Sequence, residues 1–202
     1  MISFMQKKIY LLNLIFFISL AAHAQSADSV YNKYLDFNLA RLQGEKDKVL
    51  ELGEKIIPDA DKLPEKARIS FYFSVGKMYE DNNEPARALP YYEKVFAAVP
   101  DYYVVNRALG YLYLDDVKAI EKKLSAASNV NTTNEELTKS YENAIRKALP
   151  RLEKAQACDP SDETFAIIKT LYQDINDKTG LKKLNDRLKL LSLNCVDILE
   201  DH

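Results

Sequence analysis

The 202-residue chain contains no tryptophan, two cysteines, two histidines, five glycines and seven prolines. Each shortage removes a class of protein. Few breakers beside abundant Lys, Glu, Leu and Ala favour helices. Gly44, Gly53, Gly76, Gly110 and Gly180 stand isolated, so the sequence has no glycine-rich loop of the phosphate-binding kind. His23 and His202 lie at opposite ends and offer no histidine-based acid–base pair or metal cluster. Cys158 and Cys195 are 37 residues apart, without metal-ligand spacing. Asp115-Asp116 is the one paired carboxylate worth naming, and it suits a charged turn on an exposed helix face. The expectation is a non-enzyme with no catalytic residue, no cofactor and no metal.

Charge of one sign is also lacking. The formal balance is −2. Without Lys7 and Lys8 it becomes 26 basic against 30 acidic residues. A nucleic-acid binder needs a basic face, so no nucleic-acid partner is expected.

Long apolar runs are scarce, with one exception near the start. Lys7 and Lys8 precede an almost wholly apolar stretch from Ile9 to Leu20, and Ala22-His23-Ala24 follows. A positive start, a short apolar middle and a small-x-small end make a secretory signal peptide over 1–24, cleaved after Ala24. The run is too short for a membrane span, which needs about 20 residues. The mature chain, 25–202, is expected as a single domain in a periplasm or a secreted product, with no integral membrane segment. In such a compartment Cys158 and Cys195 either staple the last two hairpins or remain two separate thiols.

What the chain does contain is an internal repeat. Val75, Gly76 and Tyr79 recur as Leu109, Gly110 and Tyr113, each displaced by 34 residues. Ala88, Tyr92, Val95 and Pro100 recur as Ala148, Leu152, Ala155 and Pro160, each displaced by 60. The second offset exceeds the first by 26, so 26 residues are inserted between the halves of the second repeat. The pattern resembles the tetratricopeptide repeat. The family's large-small-aromatic triplet falls on Val75, Gly76 and Tyr79. Its second-helix positions fall on Ala88, Tyr92 and Val95, and its closing proline on Pro100. Tyr72 stands where the family often has Trp, and Val95 where Ala is commoner.

The resemblance implies an all-α, right-handed α-α superhelix of about four antiparallel hairpins. The repeats cover 69–102 and 103–160, the resemblance being firm over about 69–113 and 148–160. A diverged hairpin is expected at 28–57 and a capping hairpin at 161–193. Val30, Tyr31, Tyr34, Leu35, Leu39 and Leu42 form an apolar stripe on the first helix, which Gly44 should end. The second helix should fill 45–57, and 58–64 should be linker. In the last hairpin, 162–177 should be one helix, with Tyr172 one residue out of register. Gly180 should break the pattern before a Leu-rich helix at 181–193. Pro90 and Pro150 should kink their helices.

The insertion should lengthen both helices of one hairpin. The first runs to about Ser125, a polar loop spans 128–134, and a Thr133/Glu136 capping box opens the second. This extension, 114–147, is either a projecting arm or a longer hairpin packed on its neighbours.

The resemblance also implies a concave binding groove lined by first helices. Its positions carry over to Ser70, Phe73, Lys77, Glu80 and Asp81 in one repeat. In the next they are Val104, Arg107, Tyr111, Leu114 and Asp115. Aromatic residues beside cations, here Phe73, Lys77, Arg107 and Tyr111, suit binding hot spots. The same aromatics could equally pack against neighbouring helices. The expected function is a scaffold or adaptor holding a protein or peptide in the cell envelope. The alternatives are a self-assembling component using 114–147, or a glycan or small-molecule binder. Finally, Asp28-Ser29-Val30 resembles an O-glycosylation acceptor of exported proteins in the Bacteroides group of bacteria. Ser29 is equally suited to cap the first helix.

Overall fold

The structure is a computed structural model and describes residues 29–126 and 131–197. The expected leader, its cleavage site and Asp28 lie outside these residues. The described chain is all-helical, with nine α-helices, one 3-10 helix and no strand. In order they are α1 (29–43), α2 (Lys46–Ile56), a 3-10 helix (Ile57–Lys62), α3 (Glu65–Asp81) and α4 (Pro85–Ala98). Then come α5 (Tyr103–Ala126), α6 (Asn131–Cys158), α7 (Asp162–Asp174), α8 (Lys178–Lys182) and α9 (Leu184–Leu191). No helix among the described residues is long and apolar enough to cross a membrane. Two compact units divide between Phe71 and Tyr72, within α3.

In the first unit α1 buries Val30, Tyr34, Phe37 and Ala40. Their spacing is one helical face. The rings of Tyr34 and Phe37 meet Phe71 edge-on, at centroid distances of 6.2 and 5.2 Å. The other half of the expected stripe points away: Tyr31, Leu35, Leu39 and Leu42 are exposed. The helix ends at Gly44, whose φ of 72° suits a residue without a Cβ. The Gly44 amide bonds the Arg41 carbonyl and the Glu45 amide reaches back to Ala40, a Schellman cap. The expected linker is partly helical, with the 3-10 turn around Pro58.

The second unit holds the repeats. The α3–α4 pairing is antiparallel: Tyr72 lies beside Tyr91 and Lys94, whereas Tyr79, two turns on, lies beneath Arg87. At the crossing a Cβ on Gly76 would stand 2.6 Å from the Tyr92 ring. One on Gly110 would stand 2.7 Å from the Leu152 side chain and 3.2 Å from its backbone nitrogen. The small residue is therefore a steric requirement at both crossings. Arg87 covers the Tyr79 ring at 4.0 Å and Lys147 covers Tyr113 at 3.9 Å. These contacts repeat the offsets of 34 and 60.

The insertion lengthens α5 to 24 residues and α6 to 28. The two pack extensively against each other. Val117 at 3% exposure and Ile145 at 0% extend the buried seam into the added turns. α6 spans Asn131–Cys158, so Thr133 lies within the helix and not ahead of it. Pro90 and Pro150 lie inside α4 and α6, which continue through them. Each proline removes one amide donor from its ladder.

The last hairpin departs from the sequence reading in two ways. α7 stops at Asp174 because Asn176, at φ 52°, forms the same cap as Asn83 after α3, at φ 59°. In each case the following amide reaches back to a tyrosine carbonyl, Tyr172 or Tyr79. Tyr172 is thus the counterpart of Tyr79. Its one-residue slip arises upstream, because α7 opens two residues after Pro160 and α5 three after Pro100. Gly180 does not break the pattern. It lies within α8, where Asp177 caps its amide and a Cβ would meet the Tyr172 ring at 2.5 Å. The break falls at Lys183 instead, and α9 ends at Leu191.

Candidate functional site

The expected groove residues divide sharply in their surroundings. Leu114 is core, only 6% exposed. It follows Arg107 and Tyr111 on one helical face of α5. Phe73 is half-buried, in ring contact with Tyr92 at 6.0 Å and edge-on to Tyr102 at 5.2 Å. Arg107 donates to both the carboxylate and the carbonyl of Asp159. The Tyr111 hydroxyl is 3.0 Å from that of Thr164. Arg107 and Tyr111 are therefore tied to the start of the next hairpin.

Lys77, Glu80 and Asp81 remain exposed on one turn of α3. Lys77 lies 2.9 Å from Asp81 and 3.4 Å from Glu80. The hydrogen bond to Asp81 raises the Lys77 ammonium above its usual value, with Glu80 adding to the effect. Glu80 also accepts from the Tyr92 hydroxyl at 2.7 Å. Ser29 is exposed at the beginning of α1.

Two clusters carry no sequence motif. In the first, the Tyr113 hydroxyl donates to Glu93 at 2.9 Å, and Lys147 lies 3.7 Å from that carboxylate. In the second, the Tyr172 hydroxyl donates to Glu153, and Arg187 pairs with the same carboxylate at 2.8 Å. In both, a cation covers a tyrosine whose hydroxyl bonds a glutamate of the preceding repeat. Glu93 and Glu153 are 60 apart, which is the one signal that could have found them. The clusters differ in burial. The Glu153 side chain is 6% exposed and Glu93 46%.

A third structure closes the chain. Cys158 and Cys195 are joined in a disulfide, with Cα atoms 5.7 Å apart. The bond brings the residues after α9 back to the turn between α4 and α5. Val196 donates to the Asp101 carbonyl at 3.0 Å, and the Tyr103 amide donates to Val196 at 3.1 Å. Lys154, whose side chain is 5% exposed, donates to Asp101 at 2.6 Å and to the Leu191 carbonyl at 3.1 Å. It also donates to the Asn194 carbonyl. A buried ammonium needs several oxygen acceptors, and the returning segment supplies two.

Burial acts on the phenols throughout this unit. Tyr102 and Tyr141 are each pushed up to about 12, burial being the largest cause. Tyr92, Tyr113 and Tyr172 are raised further, by burial first and then by hydrogen bonds to Glu80, Glu93 and Glu153. A phenol with a raised folded pKa favours the native state below its unfolded value near 10, and that contribution is lost as pH rises through the folded value. Stability should therefore be level up to pH about 10 and fall steeply toward 12. Tyrosinate absorbance and far-UV circular dichroism, followed together, check this. Phenols that ionise near pH 10 with the helices intact would refute it.

Among the described residues no three His, Cys, Asp or Glu side chains converge on a point that could hold a metal. The chain matches no family model, no curated protein and no solved structure.

Proposed function

We propose that the chain is an exported, non-catalytic scaffold of the tetratricopeptide type that holds a protein or peptide partner in the cell envelope. The observation that carries this reading is the recurrence of one packing scheme. The glycine crossings at Gly76 and Gly110 and the tyrosine–glutamate–cation clusters follow the same repeat. Stacked hairpins of this kind serve as extended recognition surfaces. On this reading Lys77 and Glu80, with Asp81, are the outward contacts. Phe73, Arg107 and Tyr111 shape the surface from beneath. Leu114 takes no part.

The test is site-specific photocrosslinking in cells, with the probe at Lys77 or Glu80 and, separately, at Lys122 on the extension. A discrete adduct from α3 supports the groove. Adducts from Lys122 alone, at twice the chain's mass, would replace it with self-assembly through 114–147. No adduct from any position would sink both.

A further inference from the structure

A short basic stretch lies near the end of the chain, between Asp177 and Asp197. Between Lys178 and Leu193 there are five basic residues and one acid. Arg187 turns inward to Glu153, whereas Lys178, Lys182, Lys183 and Lys189 are exposed. None of these four lysines makes an ion pair among the described residues. The acid, Asp186, shares their face, and a shallow depression gathers Lys178, Lys182, Lys183 and Asp186. Asp177 is turned to the Gly180 amide.

The same segment carries apolar side chains left exposed among the described residues. Leu184 is buried at 2%, but Leu190 is 66% exposed and Leu193 73%. On α9, at 3.6 residues per turn, Asp186 and Leu190 fall on one outward stripe that begins at its N-cap, Lys183, with Lys182 ending α8 just before the break. Leu193 follows in the turn after α9. The backbone there is held by Lys154 bonding the carbonyls of Leu191 and Asn194, and by the disulfide at Cys195. The two leucines are thus presented from a fastened end.

We propose that this face of α8–α9 is a docking surface for an anionic lipid bilayer. Lysine stems can lie along the interface with their ammonium groups among acidic headgroups. Leu190 and Leu193 enter the headgroup–acyl boundary. Both attractions are needed. Charge alone would suit any polyanion, and two leucines alone would bind weakly. The occupant follows from charge complementarity together with the apolar pair, which an acidic polysaccharide would leave in water. The surface is separate from the α3 positions, so the chain can hold a partner and a membrane at once.

The test is co-sedimentation of the mature chain, disulfide intact, with vesicles of phosphatidylcholine or of equal parts phosphatidylcholine and phosphatidylglycerol. Binding to the anionic vesicles alone, weakening with salt, is expected. Lys182→Glu/Lys183→Glu should reduce partitioning by more than about tenfold. Leu190→Ser/Leu193→Ser should reduce it about tenfold at unchanged charge. All four side chains are exposed, so both variants should keep the wild-type circular dichroism and melting curve. Absence of vesicle binding would overturn the proposal. So would binding insensitive to the leucine pair, which would leave a general polyanion site.

Discussion

Reduction of the Cys158–Cys195 bond by a dithiol should lower stability by about 4 kcal/mol. That is the loop-closure entropy of a cross-link spanning roughly 37 residues in the unfolded chain. Cys195 is exposed, so the reagent can reach it. The effect has a second component in the folded state. Four hydrogen bonds hold the returning segment: two join Val196 to Asp101 and Tyr103 of the α4–α5 turn, and two run from Lys154 of α6 to the carbonyls of Leu191 and Asn194. Without the covalent tie this returning segment should open locally well before the rest unfolds. Denaturant titration of the oxidised and reduced proteins measures the first component. Hydrogen exchange at the Tyr103 and Val196 amides measures the second. An unchanged midpoint would show that the bond does not restrain the unfolded chain. Unchanged exchange would show that hydrogen bonds alone hold the segment.

The other large effect is expected at Arg187. Arg187→Met strands the Glu153 carboxylate, whose side chain is only 6% exposed. Removing one partner from a buried pair costs about 3–5 kcal/mol. Glu153 keeps its bond from the Tyr172 hydroxyl and Arg187 is itself 31% exposed, so about 3 kcal/mol is expected here. Adding Glu153→Gln should return more than half, because the buried charge is then gone. The parallel change Lys147→Met touches the same constellation in exposed form. Lys147 and Glu93 are 54% and 46% exposed and 3.7 Å apart, so the loss there should stay below about 1 kcal/mol. Melting curves of these three variants separate burial from motif. Equal losses at Arg187 and Lys147 would mean that burial does not set the scale.

Particular residues show where sequence reading succeeded. Gly76 and Gly110 were legible because a helix crossing admits no side chain there, and the restriction repeats at a constant spacing. Gly44 was legible as a stop because its backbone takes a left-handed turn. The glutamates of the two clusters were not. Their partners come from other hairpins, and the cation is supplied from α6 in one and α9 in the other. No local spacing records that. Tyr31, Leu35, Leu39 and Leu42 misled for a different reason. They share helical periodicity with the buried face of α1, and periodicity does not say which of two apolar faces meets the core.

The groove residues show the same division. Lys77, Glu80 and Asp81 are open because each interacts with close neighbours on α3 or with the Tyr92 hydroxyl. Leu114 was placed in the groove by register alone, and the fold leaves it only 6% exposed. Arg107 and Tyr111 meet Asp159 and Thr164, which are distant in the chain and arrive only when α7 folds back.

By itself the sequence determined the helical class, the repeat register at 34 and 60, and the lengthened hairpin, since these follow from local propensity and periodic sterics. Tertiary structure alone decided which apolar faces are buried, which cations lie over which tyrosines, and that Cys158 meets Cys195. It also left the lysines of α8–α9 together beside two uncovered leucines. These are outcomes of distance in space, which depend on where each helix comes to rest against the next.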